Sequence, residues 1–134
     1  MSRFVILEHD FPNRHWDFML ETADVLRTWR LPQAPHGAQW EMPVEALADH
    51  RLAYLDYEGP VSGNRGTVTR WDRGEYDRES SADDRWTIRL RGQLLCGRAI
   101  LEKMSSGEWQ FRFQSSGRSA AGNAASAVGG ETPS

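Results

Sequence analysis

Along most of this chain apolar and polar side chains alternate with a period of two, the spacing of a strand rather than a helix. In His15-Trp16-Asp17-Phe18-Met19-Leu20-Glu21 one face carries Trp16, Phe18 and Leu20, and the other carries His15, Asp17, Met19 and Glu21. That pattern predicts a half-buried strand with a polar second face. Phe4-Val5-Ile6-Leu7 is a short unbroken apolar run, which predicts a strand covered on both faces. Val25 to Leu31 reads as a third strand, ended by Pro32 and Pro35. Arg51 to Tyr57, Gly66 to Trp71, Arg85 to Leu90, Leu94 to Leu101 and Trp109 to Phe113 are further strand candidates, separated by Gly, Asn, Asp and Ser clusters. Arg91-Gly92-Gln93 falls between two of them as a hairpin turn. Pro43 to Asp49 is the one passable helical turn, with Pro43 suited to its first position. The expectation is an all-β fold, a small β-barrel or sandwich of about 7–8 mostly antiparallel strands with one short helical segment. Trp16, Trp29, Trp71, Trp86 and Trp109 sit within the strand patterns, as core residues rather than platforms for stacked bases.

Composition sharpens this picture. From Ser115 onward the residues are small, polar and nearly free of large apolar groups, too little to offset the entropy of ordering. Residues 1–114 are therefore expected to form one domain and 115–134 a disordered tail. The single Cys96 excludes an internal disulfide and a cysteine-built metal site. No apolar run approaches the roughly 20 residues that span a bilayer, and the first residues turn charged too soon for a secretory signal. A cytoplasmic protein, monomeric by default and with no membrane partner, is expected. The formal net charge of −3 gives no basic field of the kind that announces a nucleic-acid binder. The positive charge is almost all arginine, with Lys103 the one lysine, and arginine's planar fork suits phosphate and carboxylate.

The chemistry concentrates between Glu8 and Asp17. His15 and Asp17 are two apart on one strand face, roughly 6.6 Å along the chain. At that spacing both side chains can converge on one ion while Trp16 packs into the core. His9 ends the preceding strand, and the Asp10–Arg14 connection can return the chain beside it. Two imidazoles and one carboxylate with positions left open form a catalytic rather than a sealed ligand set. Nitrogen ligands favour manganese, zinc or iron over calcium. The plainer alternative is that His9 and His15 are ordinary surface or hairpin residues. Asp56 and Glu58 alternate with aromatic residues, and are either partners for a ligand histidine or part of an exposed strand face. His36, between Pro35 and Gly37, reads as a loop residue.

At these residues the chain resembles a known family. The run from His9 through His15-Trp16-Asp17-Phe18-Met19-Leu20-Glu21 is similar to the signature of the 3′-phosphoesterase module of bacterial DNA ligase D. The resemblance continues through Val25–Pro32, Asp49–Gly59, Gly66–Gly74 and Arg89–Arg98, in the same order along nearly the whole expected domain. It implies manganese-dependent removal of a 3′-terminal ribonucleoside and then a 3′-phosphate from primer strands. It implies His9, His15 and Asp17 as metal ligands, His50 as a phosphate contact or acid, and Tyr54 beside it. Zinc or another transition ion is the alternative cofactor. The implied partners are nucleic-acid 3′ ends on primer–template DNA, with a DNA ligase or polymerase as a further possibility. Where the family carries three phosphate-contacting cations, this chain has Met19, Gln33 and Met42. Arg14, Arg30 and Arg65 are the candidates for supplying the missing charge. Those departures keep two further readings open: a non-catalytic module that binds metal and DNA ends or docks onto a ligase or polymerase, and a phosphohydrolase for small metabolites.

Overall fold

The computed structural model describes residues 2–117. Nine strands appear in chain order: β1 (Ser2–His9), β2 (His15–Glu21), β3 (Val25–Leu31), β4 (Gln39–Arg51), β5 (Gly59–Pro60), β6 (Thr67–Ala82), β7 (Arg85–Gly92), β8 (Cys96–Lys103) and β9 (Trp109–Ser115). Hydrogen bonding runs β1-β2-β3-β4-β9-β8-β7-β6, and β6 returns to β1, so eight antiparallel strands close into a barrel. The two-residue β5 is an added strand on β6. Closure removes the unpaired edges that an open sheet would expose.

Two long strands turn the sheet round. β4 pairs with β9 through Gln39–Val44 and with β3 from Glu45 onward. β6 pairs with β1 through Val68–Tyr76 and with β7 through Gly74–Ala82. Register shifts interrupt the pairing of β1 with β6, β3 with β4, and β6 with β7, and such bulges bend a strand and increase its twist.

The period-two reading correctly sorts the two faces. Phe4, Ile6, Trp16, Phe18, Leu20, Trp29, Leu31 and the apolar residues of β4 and β7–β9 fill the barrel. Trp29 stands edge-on to both Trp86 and Trp109, with ring centroids 6.1 and 5.6 Å away. Trp71 packs against this core from a partly buried position, so the five tryptophans expected in strands are all structural, and Trp40 in β4 joins them. The apolar run of β1 is covered on both sides as expected. Val5 and Leu7 point out of the barrel and join Met19, Leu26, Leu55, Val61 and Val68 in a second cluster on the outer face.

Two local expectations are overturned and a third is extended. Pro43–Asp49 is not helical but lies within β4. Met42, Val44 and Ala46 share the inner face and pack into the barrel, a tertiary gain that overrides the local helical reading. Pro43 stands where β3 has not yet joined β4, a position open to a residue with no N–H to donate. The short helical segment instead occupies Leu52–Leu55, inside the stretch expected as a strand from Arg51 to Tyr57; it is a single 3₁₀ turn that buries Leu55 in the outer cluster. The strand expected over Gly66–Trp71 runs on to Ala82.

The expected hairpin at Arg91–Gln93 forms, and a residue outside the strand pattern holds it. Asp72 is 1% exposed, and its carboxylate accepts the backbone N–H groups of Arg73, Gln93, Leu94 and Leu95 at 2.8–2.9 Å. A Cβ on Gly92 would come within 2.6 Å of both Asp72 Oδ2 and Phe4, so the turn can pass this close only with glycine. At the C-terminal end Ser115 still belongs to β9, paired with Gly97, and most of the expected tail lies outside the described residues.

Candidate metal centre

The β1–β2 hairpin sets His9 directly opposite His15, and Leu7 opposite Asp17. Side chains of directly opposed residues share a face, and residues two apart on one strand share it as well. His9, His15 and Asp17 therefore meet on the outer face, beside the second apolar cluster. The two rings stand 4.9 Å apart, and one ligand atom from each of the three residues lies within 4.8 Å of the others. His15 and Asp17 are buried, at 5% and 4% exposure.

Backbone carbonyls decide which nitrogen of each ring faces inward. His9 Nε2 lies 2.8 Å from the Arg65 carbonyl, and His15 Nδ1 lies 2.8 Å from the Asn13 carbonyl. A carbonyl only accepts, so these two nitrogens carry the protons, and in a neutral ring the other nitrogen keeps its lone pair. The lone pairs are those of His9 Nδ1, 3.8 Å from Asp17 Oδ2, and His15 Nε2, 3.3 Å from Asp17 Oδ1. His15 Nε2 and Asp17 Oδ1 are both buried with no hydrogen-bond partner. Acceptors converging on acceptors in a buried place is costly unless a cation lies between them. Outward ring N–H groups bonded to carbonyls are the usual support of metal-ligating histidines. The donor set thus fits a divalent ion.

The loop that delivers the Arg65 carbonyl is itself tied down. Val61 N–H donates to the Gly66 carbonyl at 2.8 Å, and Asp10 Oδ1 accepts the Thr67 N–H at 2.8 Å. Gly66 adopts φ +78°, and a Cβ there would collide with Asp10 Oδ1 and Phe11. No side-chain signal marks Asn13 or Arg65 for these supporting roles, because the backbone performs them. Asp56 and Glu58 do not hold the histidines. Asp56 pairs with Arg3 at 3.1 Å, and Glu58 accepts the Arg70 N–H at 2.7 Å.

The remaining predicted residues fall in different places. His50 stands opposite Leu26 near the end of β4, on the same outer face, with its Nδ1 3.0 Å from the Ala48 carbonyl. Tyr54, in the 3₁₀ turn, packs edge-on to it with centroids 5.8 Å apart. Following the ladders, His50 lies two strands across from Asp17, about 10 Å, and four residues along, about 13 Å. One ion cannot bridge that span, so His50 stands apart from the three-residue cluster. Buried Met19 lies on the outer face between them, whereas Met42 points into the barrel. Gln33 is exposed beyond β3.

Arg30 is directly opposite Asp17; its Nε is buried and unpartnered, and one terminal nitrogen lies 3.7 Å from Glu45. Arg14 pairs with Glu8, and the Arg65 guanidinium folds back onto Ser62 at 2.7 and 3.2 Å. His36 is in an exposed loop. No helix among the described residues is long and apolar enough to cross a membrane.

A closed antiparallel barrel with a largely buried cluster of two histidines and one aspartate on its outer face defines a small β-barrel protein whose donor set fits a divalent ion. Residues 7–120 match the family described as the DNA Ligase D 3′-phosphoesterase domain, and the chain belongs to that family. It is 33% identical over 116 residues to the multifunctional non-homologous end joining DNA repair protein LigD of Mycobacterium tuberculosis, covering 81% of this chain and 15% of that protein. It is 32% identical over 108 residues to the corresponding LigD of Pseudomonas aeruginosa, covering 73% of this chain and 13% of that one. The chain thus spans about one seventh of the length of these relatives.

Proposed function

We propose that this chain is a divalent-metal-dependent 3′-phosphoesterase that clears 3′-phosphates and 3′-terminal ribonucleosides from nucleic-acid ends during DNA end repair. The observation that carries the proposal is the convergence of unpartnered His15 Nε2 and Asp17 Oδ1 with His9 Nδ1, in a chain of the ligase D phosphoesterase family. His9, His15 and Asp17 would hold the ion, and manganese is the proposed metal. When bound, the ion would supply positive charge to a phosphoryl oxygen and activate water near neutral pH.

The chain's own groups then have separable tasks. The Arg65 and Asn13 carbonyls hold the two imidazoles in the ligating orientation. With its Nδ1–H committed to the Ala48 carbonyl, His50 meets a phosphate oxygen or the leaving oxygen through Nε2, which donates there in the imidazolium form. Tyr54 buttresses the His50 ring. Arg30, one strand from Asp17, is the cation best placed to meet the phosphate in the absence of an arginine at Met19. Primer–template ends are the proposed substrate, and a ligase or polymerase acting on the same end is the proposed partner.

The test is turnover of two primers by the purified chain in manganese, one ending in a 3′-phosphate and one in a single 3′-ribonucleotide. Loss of the phosphate from the first, reduced about 10²–10³-fold by His50→Ala, is the expected result. Salt-dependent binding of both primers without any turnover would instead assign the chain to the non-catalytic reading.

A further inference from the structure

We propose that the niche beside the 3₁₀ turn is a receptacle for the terminal nucleobase of a 3′ end. This inference rests on the reading of the chain as a 3′-end phosphoesterase. Arg51, Ala53, Tyr54, Tyr57, Val61 and Ser62 bound a space of about 320 Å³. That is at the small end of the roughly 300–1,000 Å³ found for ligand pockets, so a flat ring fits it better than a larger ligand.

Its walls have the chemistry of a stacking site. The Tyr54 and Tyr57 rings meet at 89° with centroids 5.8 Å apart. A planar ring entering that corner lies face-on to one tyrosine and edge-on to the other, both favourable aromatic geometries. Tyr57 is held in place, because its hydroxyl donates to the Pro60 carbonyl. Such stacking accepts any base, since every base has a π-face.

The lip carries an uncommitted cation. Arg51 is exposed, and among the described residues it has no carboxylate within ion-pair distance, whereas Arg3, Arg14, Arg30, Arg70 and Arg91 each have at least one. An open guanidinium beside an aromatic corner suits a nucleotide, which offers a phosphate next to a ring. The surroundings also tie the niche to the proposed site. Tyr54 is the residue against His50, and Val61 and Ser62 begin the loop whose Arg65 carbonyl holds His9. The two segments that build the niche therefore also support both ends of that site.

The test uses the full chain in manganese with two short DNA strands ending in a 3′-hydroxyl, which carry no group to remove. They differ only at the 3′-terminal position, which is a 2-aminopurine nucleotide in one and an abasic residue in the other. The base-bearing strand is expected to bind about tenfold more tightly, with a fall in 2-aminopurine fluorescence as the base stacks. Tyr57→Ala is expected to abolish the preference and leave affinity for the abasic strand within about twofold. Ala53→Phe fills the niche from an exposed position and gives the same expectation without removing a packed ring. Equal affinity of the wild type for both strands, no detectable binding of either, or a preference that survives Ala53→Phe would overturn the proposal. Base preference without any 3′-phosphate removal would sink the phosphoesterase reading and leave the niche standing. Removal without base preference would do the reverse.

Discussion

His15 Nε2 stands 3.3 Å from Asp17 Oδ1, and neither atom has a hydrogen-bond partner. A neutral imidazole with its proton committed to the Asn13 carbonyl presents only a lone pair to that carboxylate. Two buried acceptors side by side cost stability unless a cation lies between them. One divalent ion per chain should therefore bind and raise Tm, and a chelator should lower it again. At a hundred times Kd the stabilisation is about 2.7 kcal/mol. Asp17→Asn should remove this response. Its amide can donate to His15 Nε2, so in chelator the variant should unfold no lower than wild type. Thermal melts with manganese and with EDTA decide both points.

Gly66 should matter to the ion although it ligates nothing. Its φ of +78° and its closeness to Asp10 and Phe11 leave no room for a Cβ. Gly66→Ala should cost about 1–3 kcal/mol of stability. By shifting the Arg65 carbonyl away from His9, it should also weaken metal affinity about 10–100-fold. Calorimetric titration with manganese separates that loss from the change in Tm. Unaltered affinity in a destabilised variant would show that the carbonyl does not orient the ring.

Arg30→Leu tests whether the cation opposite Asp17 meets substrate. A charge-assisted contact of about 1.5–3 kcal/mol predicts a 10–150-fold loss in kcat/KM on a 3′-phosphate primer. Tm should hardly move, because the partner Glu45 is exposed and such pairs contribute little. A full rate in the variant would assign Arg30 to the surface.

Asp72 should govern stability rather than activity. Asp72→Ala strips four backbone N–H groups of their acceptor and should cost about 3 kcal/mol, read by denaturant melts. Burial raises its carboxyl above the ordinary 3.8, against the opposing pull of the N–H groups of Leu95, Leu94, Arg73 and Gln93. A folded-state value above the unfolded one means that the folded protein holds the proton more tightly. Its contribution is then complete below about 3.8 and lost as pH rises through the folded value. The stability of wild type relative to Asp72→Asn should fall as pH climbs through that window. A difference that grows with pH would contradict the raised value.

Much of this was legible from side chains alone. An unbroken apolar run identified β1, alternation identified β2, and the prolines that follow it bounded β3; strand parity is a local property that the backbone enforces residue by residue. The same parity placed His15 and Asp17 on one face and left Trp16 to the interior. It failed at Pro43–Asp49, where a proline and a run of short side chains read equally well as a helix start until β3 and β9 were in place to pair with them. It failed again at Leu52–Leu55, whose apolar residues cover the outside of the barrel rather than extend a strand.

By itself, then, the order of residues determined the strand periodicity, the all-β class and the two histidines and one aspartate available to a metal. Only the tertiary structure decided that these three lie on the outside of the barrel, beside a second apolar cluster, and which ring nitrogens face Asp17. It also decided that Asp72 would fasten a turn more than twenty residues away. The reason is range. Parity passes from one residue to the next, whereas the carbonyl that orients His9 comes from a position 56 residues further on and arrives only when the sheet closes.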